Sequence, residues 1–349
     1  MSKRNLSVAY ALLAALLFGI NAPFSKILIE RINPLFMAAL LYLGAGIGMS
    51  IIALLRNFNE LKRSEARLTK KEFPFIILMI LLDIVAPILL MIGVSMTNSS
   101  TVALLGNFEI AATSVIAMMV FKEAIGKRLW IAIVLISLAS IILTVGDLTT
   151  INISLGALFV LLACVSWGFE NNYTRNLSIK DPLQVVIIKG FGSGLGSLII
   201  AYKWGNISAE FLYIVLALAL GFVAYGLSIF FYVTAQRELG AARTSAYYAA
   251  APFMGVVISW IVFKESISTS FLIALGIMLL GAYFAVSEEH EHEHIHVKET
   301  HEHKHNHNDQ HHNHSHYPKI VEEHSHEHTH EEIEHKHTHL PELHHRHTH

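Results

Sequence analysis

Val120-Phe121-Lys122-Glu123 recurs letter for letter as Val262-Phe263-Lys264-Glu265, 142 positions further on. Two other echoes share nearly the same spacing. Phe18-Gly19 answers Trp167-Gly168 at 149 positions, and Gly44-Ala45-Gly46-Ile47-Gly48 answers Gly192-Ser193-Gly194-Leu195-Gly196 at 148. One near-constant offset running through apolar sequence marks an internal duplication. A duplicated hydrophobic body of this size is the pattern expected of a membrane transporter.

The 349-residue chain is 53% hydrophobic, too apolar for a polar-surfaced soluble protein. Crossing about 30 Å of hydrocarbon takes about 20 apolar helical residues. Ten runs meet that need: 6–29, 34–55, 73–96, 99–120, 129–146, 154–173, 182–202, 208–234, 242–262 and 269–286. The expected fold is an all-α membrane protein of ten transmembrane helices. Its units are a first five-helix repeat over 1–146, a second over 147–287, and a tail over 288–349. Because five is odd, the second repeat enters the membrane the other way up, making the repeats inverted.

Charge placement bears on topology independently. With the amino terminus in the cytoplasm, the inner segments hold fifteen Lys and Arg and the outer ones only Lys26, Arg31, Lys203 and Lys264. That excess places both termini in the cytoplasm of a multi-pass cell (inner or plasma) membrane protein. The first apolar run lacks a small-residue cleavage site and belongs to the repeat, so it reads as a retained helix. Cys164, the lone cysteine, reads as packing within a helix.

The tail is different material. All 23 histidines fall within 288–349, beside 14 acidic and five basic side chains, a net charge of −9 against +7 for the body. With few apolar residues it cannot offset its ordering entropy, and a disordered cytoplasmic tail is expected. Imidazole and carboxylate bind borderline divalent cations such as Zn, Ni or Co. The candidate ligands are His290, His292, His294, His296, His301, His303, His305, His307, His311, His312, His314 and His316. The plainer alternative is a solvated low-complexity segment that buffers protons.

Ionisable residues in a hydrocarbon layer are costly, and each one needs a reason. Asp83 in the third span and Glu109 in the fourth lie about 20 and 15 Å from the outer end at 1.5 Å per residue. A short connection around Thr97-Asn98-Ser99 suggests an antiparallel hairpin that brings the two carboxylates together near the midplane. Such a pair can couple proton movement to substrate or neutralise a cationic or metal cargo. The later half has Gly221 and Ala251 in their places, so the fold itself does not demand them. Asn107 and Asn21 are candidate neutral ligands. Glu170 and Lys189, at matched depth near the Asp181-Pro182 turn, form a second candidate pair, with snorkelling to the interface as the bland alternative. The glycine runs read as close helix packing, not phosphate loops. Tyr247, Tyr248, Trp167 and Trp260 read as packing or interface anchors before substrate contacts.

On these residues the body resembles the drug/metabolite transporter superfamily, specifically the EamA-type ten-helix exporters. The resemblance is carried by Phe18-Gly19 and Trp167-Gly168, by Glu123 and Glu265 after the fourth and ninth spans, and by Pro252, and it covers about 5–286. Glu109-Ile110 departs from the usual proline-bearing fourth span, and Glu123 and Glu265 read as structural. The resemblance implies secondary transport without ATP, often export, by a protein that is not an enzyme and requires no cofactor. The expected partners are the lipid bilayer, a small-molecule or metal-ion substrate and protons as coupling ion, with a homodimer admitted and no nucleic acid. Three functions stay open: a small-solute exporter whose tail links it to metal efflux or homeostasis, an amino-acid or metabolite exporter whose tail only buffers or senses metal, and a membrane-anchored metal sensor or store.

Overall fold

The computed structural model describes residues 3–58, 68, 70–122, 125–145, 154–173, 177, 180–239, 244 and 247–287, with four tail segments at 290–296, 299–305, 324–330 and 333–339. The body is helical because lipid offers backbone N–H and C=O groups no partner, so each span must satisfy its own. The first half comprises α1 (Lys3–Gly19), α2 (Asn21–Leu28), α3 (Pro34–Phe58), α4 (Phe73–Met96), α5 (Ser99–Leu105), α6 (Phe108–Phe121) and α7 (Lys127–Val145). The second comprises α8 (Leu155–Tyr173), α9 (Pro182–Trp204), α10 (Phe211–Gly221), a π-helical turn at Phe222–Leu227, α11 (Ser228–Leu239), α12 (Ala251–Phe263) and α13 (Thr269–Val286). Among the described residues, nine helical stretches are long and apolar enough to cross a membrane, and the shorter α12 stands where the ninth span, 242–262, is expected. The start of that span, around 240–246, lies largely outside the described residues.

Local chemistry sets the helix ends. The Asp181 carboxylate accepts from the Leu183 N–H at 3.0 Å, and the Ser268 hydroxyl accepts from the Phe271 N–H at 3.1 Å, capping α9 and α13. Both copies of the repeated tetrapeptide end a helix in the same way. Lys122 after α6 and Lys264 after α12 adopt left-handed backbone (φ 57° and 48°), the only described non-glycine residues to do so.

The packing respects the duplication. Along the chain, α1–α2 corresponds to α8, α3 to α9, α4 to α10–α11, α5–α6 to α12, and α7 to α13. The main contacts are α3 with α9, α7 with α13, α4 with α8, α1 with α11, α6 with α8, α1 with α12, α10 with α3 and α4 with α9. Exchanging the halves maps every one of these pairs onto another in the set. Glycines permit the central crossing: a Cβ on Gly190 would lie 2.4 Å from the Gly46 nitrogen, and one on Gly44 2.0 Å from the Leu218 carbonyl oxygen. The glycine runs are therefore where backbones touch.

Several spans depart from the uninterrupted runs read in the sequence. The first breaks between α1 and α2 at Gly19–Ile20, the fourth between α5 and α6 at Gly106–Asn107, and the eighth carries the π turn. Hydropathy sees composition and is blind to such breaks.

In the tail, β1 (His290–His296) pairs antiparallel with β4 (Ile333–His339), and β2 (Glu299–His305) with β3 (His324–His330). The period-two alternation of histidine suits an extended ladder. Two-stranded ribbons remain marginal in water, so they amount to pairing-competent segments and not to a folded domain. His307, His311, His312, His314 and His316 lie outside the described residues.

Candidate functional site

Four helices meet around Lys189. The Lys189 ammonium on α9 sits 3.0 Å from Asp83 Oδ2 on α4 and 3.3 Å from Glu170 Oε1 on α8. The Tyr42 hydroxyl on α3 donates to Asp83 Oδ1 at 2.9 Å. Asp83 is 0% exposed, and Glu170 and Tyr42 are buried. Ions in such surroundings persist only when paired and hydrogen-bonded, and each member here has a partner. The cage holds two carboxylates for one ammonium.

The expected pairing of Asp83 with Glu109 is corrected. The structure puts Asp83 with Lys189 and Tyr42, and gives Glu109 a different partner: Asn171 Nδ2 donates to Glu109 Oε1 at 2.8 Å and to Thr113 Oγ1 at 3.4 Å. The third and fourth spans meet mainly at their connecting turn, so the short connection does not bring the two carboxylates together. Both α4 and α6 pack chiefly on α8, which lies between them. Consecutive residues on α8 therefore serve two sites, Glu170 facing Lys189 and Asn171 facing Glu109. Glu109 is half-buried, so it borders more open surroundings than Asp83 does. It still feels the charges of Glu170 and Lys189.

The cage occurs in one half only. The counterparts of Lys189 and Asp83 in the exchanged arrangement are Leu41 and Gly221, where a Cβ on Gly221 would come 2.0 Å from the Leu41 carbonyl oxygen. Two backbones close there, leaving no room for an ion pair. Glu170 answers to Asn21, and Asn21 is buried too. Its Nδ2 donates to the Tyr225 hydroxyl at 3.0 Å and its Oδ1 accepts from Ser25 Oγ at 3.0 Å. Tyr225 lies in the π turn, whose extra residue re-aims a side chain. Its ring stands 5.2 Å from Tyr42 and 5.9 Å from Phe18, and Phe18 stands 5.9 Å from Tyr248. An aromatic row thus leads from the charged cage towards α1 and Tyr248.

The remaining expected residues spread out. Asn107 is buried at the α5–α6 break, its Oδ1 without a hydrogen-bond partner and its Nδ2 only 3.4 Å from the Leu104 carbonyl oxygen. Trp167 is buried, Trp260 is 53% exposed on the outer surface of the bundle, and Tyr247 packs with Ala11, Ala235 and Leu239. Cys164 is buried and faces the Leu105 carbonyl oxygen at 3.6 Å. Among the described residues no three His, Cys, Asp or Glu side chains gather as a metal cage.

Tyr42, Tyr225, Asn171 and Ser25 were not singled out from sequence. Tyr42 and Tyr225 had a usable signal, since a tyrosine deep in an apolar run needs a partner for its hydroxyl. Asn171 adjoins Glu170. Ser25 carries no such mark.

The family model described as "EamA-like transporter family" matches residues 5–145 and 154–287. A curated protein of Methanothermobacter thermautotrophicus, described as an uncharacterized transporter, is 28% identical over 286 residues, spanning 77% of this chain and 83% of its own length. A solved crystal structure superposes with a TM-score of 0.60 at 14% identity, covering 80% of this chain and 95% of its own, a likeness of fold alone.

Proposed function

We propose, from the premise that the chain belongs to the EamA-like transporter family, that it is a secondary active exporter whose transport site is the Lys189 cage. The coarser statement stands on the family match: this is a multi-pass membrane transporter of a small solute. The observation that carries the finer one is Lys189 held between Asp83 and Glu170 in the membrane interior, in a place where the other half has only Leu41 against Gly221. The fold packs without charges at that position, so the charges serve something other than packing. Lys189 faces two carboxylates, and Glu109, bonded to Asn171 beside Glu170, adds a third acid close to the cage, a balance that favours a cationic or zwitterionic organic solute and proton coupling. The aromatic row from Tyr42 to Tyr248 supplies faces on which such a cation can rest. A divalent metal as cargo is disfavoured, because it would have to displace the resident ammonium. Both termini lie in the cytoplasm in this reading, and the two halves are inverted repeats, which the exchange symmetry of the helix pairs supports.

The test is a panel of amino acids, organic cations and Zn, Ni and Co ions offered to purified protein in liposomes, with and without an imposed pH gradient. Organic solutes that move faster under the gradient, while the metals stay put, support the reading. Flux of metal ions alone overturns it.

The tail supports a second, separable proposal: its histidines bind divalent metal in the cytoplasm as a buffer or sensor, without lining the transport path. The alternation of His with Glu, Lys, Thr and Ser carries this. The competing idea, a membrane-anchored metal store, predicts that all function resides in residues 288–349.

A further inference from the structure

We infer that Lys26 and Glu265 form a latch that closes the end of the bundle carrying the Thr97–Asn98 turn. At that turn α4 ends and α5 begins, so orphan carbonyls and orphan N–H groups lie side by side. Local side chains do not satisfy them: the Asn98 side chain makes no capping bond. Remote residues do so instead. Lys26 Nζ, on α2, donates to the Val94 carbonyl oxygen at 2.6 Å and to that of Thr97 at 2.8 Å. Glu265, in the connection after α12, accepts from the Ser99 N–H at 3.0 Å, from the Ser100 N–H at 3.2 Å, and from the Ser100 hydroxyl. One turn is thus gripped by a cation from the first half and an anion from the second, and the two charges also attract each other.

Both charges sit on elements separate from the turn they hold: Lys26 on the short helix α2 that follows Ile20, and Glu265 in the connection between α12 and α13. Charge-assisted bonds between separate elements at one end of a path are strong when made and can be exchanged for water when broken. An N-cap is ordinarily local, a side chain at the helix start bonding an N–H two or three residues on. The positive-inside distribution assigns this end to the outside, so the latch shuts the outer entrance. This inference requires only that the protein is a transporter, and stands whichever solute the cage takes.

The experiment uses the full chain with its single cysteine removed (Cys164→Ser) and a reporter introduced as Ser25→Cys. Ser25 is fully buried, beside Lys26 and bonded to Asn21. A membrane-impermeant maleimide is applied to intact cells, and in parallel to inverted membrane vesicles. With the latch intact the reporter labels slowly from outside. Lys26→Met or Glu265→Gln should raise that rate about tenfold or more, the equivalent of losing about 1.4 kcal/mol of closure, while labelling from the other face does not rise. Lys26→Arg and Glu265→Asp should retain protection. Unchanged outside labelling in Lys26→Met and Glu265→Gln overturns the latch. So does labelling that rises equally from both faces, which marks a structural cap whose loss loosens the bundle.

Discussion

Lys189 is the residue on which the most depends, because it neutralises two buried carboxylates at once. Lys189→Met strips both of their counter-charge, and removing one member of a buried ion pair costs about 3–5 kcal/mol. Asp83→Asn should be milder, since Lys189 keeps Glu170 and Tyr42 can still bond the amide. Thermal unfolding in detergent should therefore rank wild type, then Asp83→Asn, then Lys189→Met, with partial recovery in the double variant. Strictly additive losses in the double variant would mean that the cage is not a coupled unit. The left-handed lysines offer a quieter check. A non-glycine residue in that conformation is strained by about 1–2 kcal/mol. Lys264→Gly should thus match or exceed wild-type stability, and Lys264→Val should fall below it in the same melt.

At the scale of elements, the spans and their order were legible in the sequence, because apolar run length is a one-dimensional signal. Glu109 was misplaced because which helices touch is not such a signal. A short turn guarantees that α4 and α5 meet at one end, and says nothing about α8 sliding between α4 and α6 lower down. Matched depth did suffice for Glu170 and Lys189, whose helices are neighbours in chain order and stand 3.3 Å apart at those atoms. The breaks at Gly19–Ile20 and Gly106–Asn107 had only isolated glycines to announce them. Glycine placement gives its own prediction. Gly190→Ala drives a methyl into the Gly46 backbone, a clash of backbone on backbone that costs about 1–3 kcal/mol and lowers the yield of folded protein. Gly276→Ala on α13 meets nothing within 4 Å and should gain stability by about 1 kcal/mol from helix propensity alone. Size-exclusion profiles and melts of the two variants side by side check the contrast.

For the whole molecule, the family match covers two stretches of the body, and the Lys189 cage stands in only one of the two exchanged positions. The acidic, histidine-rich tail lies beyond the family match, which ends at residue 287. Deleting residues 288–349 should leave solute flux in liposomes within about twofold while abolishing high-capacity Ni or Zn binding measured by calorimetry. Loss of all flux on that deletion would favour the metal-store alternative. The account as a whole turns on whether solute passes the Lys189 cage. The direct measurement is the initial rate of gradient-driven flux in liposomes for wild type, Lys189→Met and Glu109→Gln, using the solute that wild type moves best and preparations matched for folded protein. The account predicts flux at least about tenfold lower in Lys189→Met, and Glu109→Gln flux that no longer responds to the pH gradient. Full, gradient-sensitive flux in correctly folded Lys189→Met would contradict it.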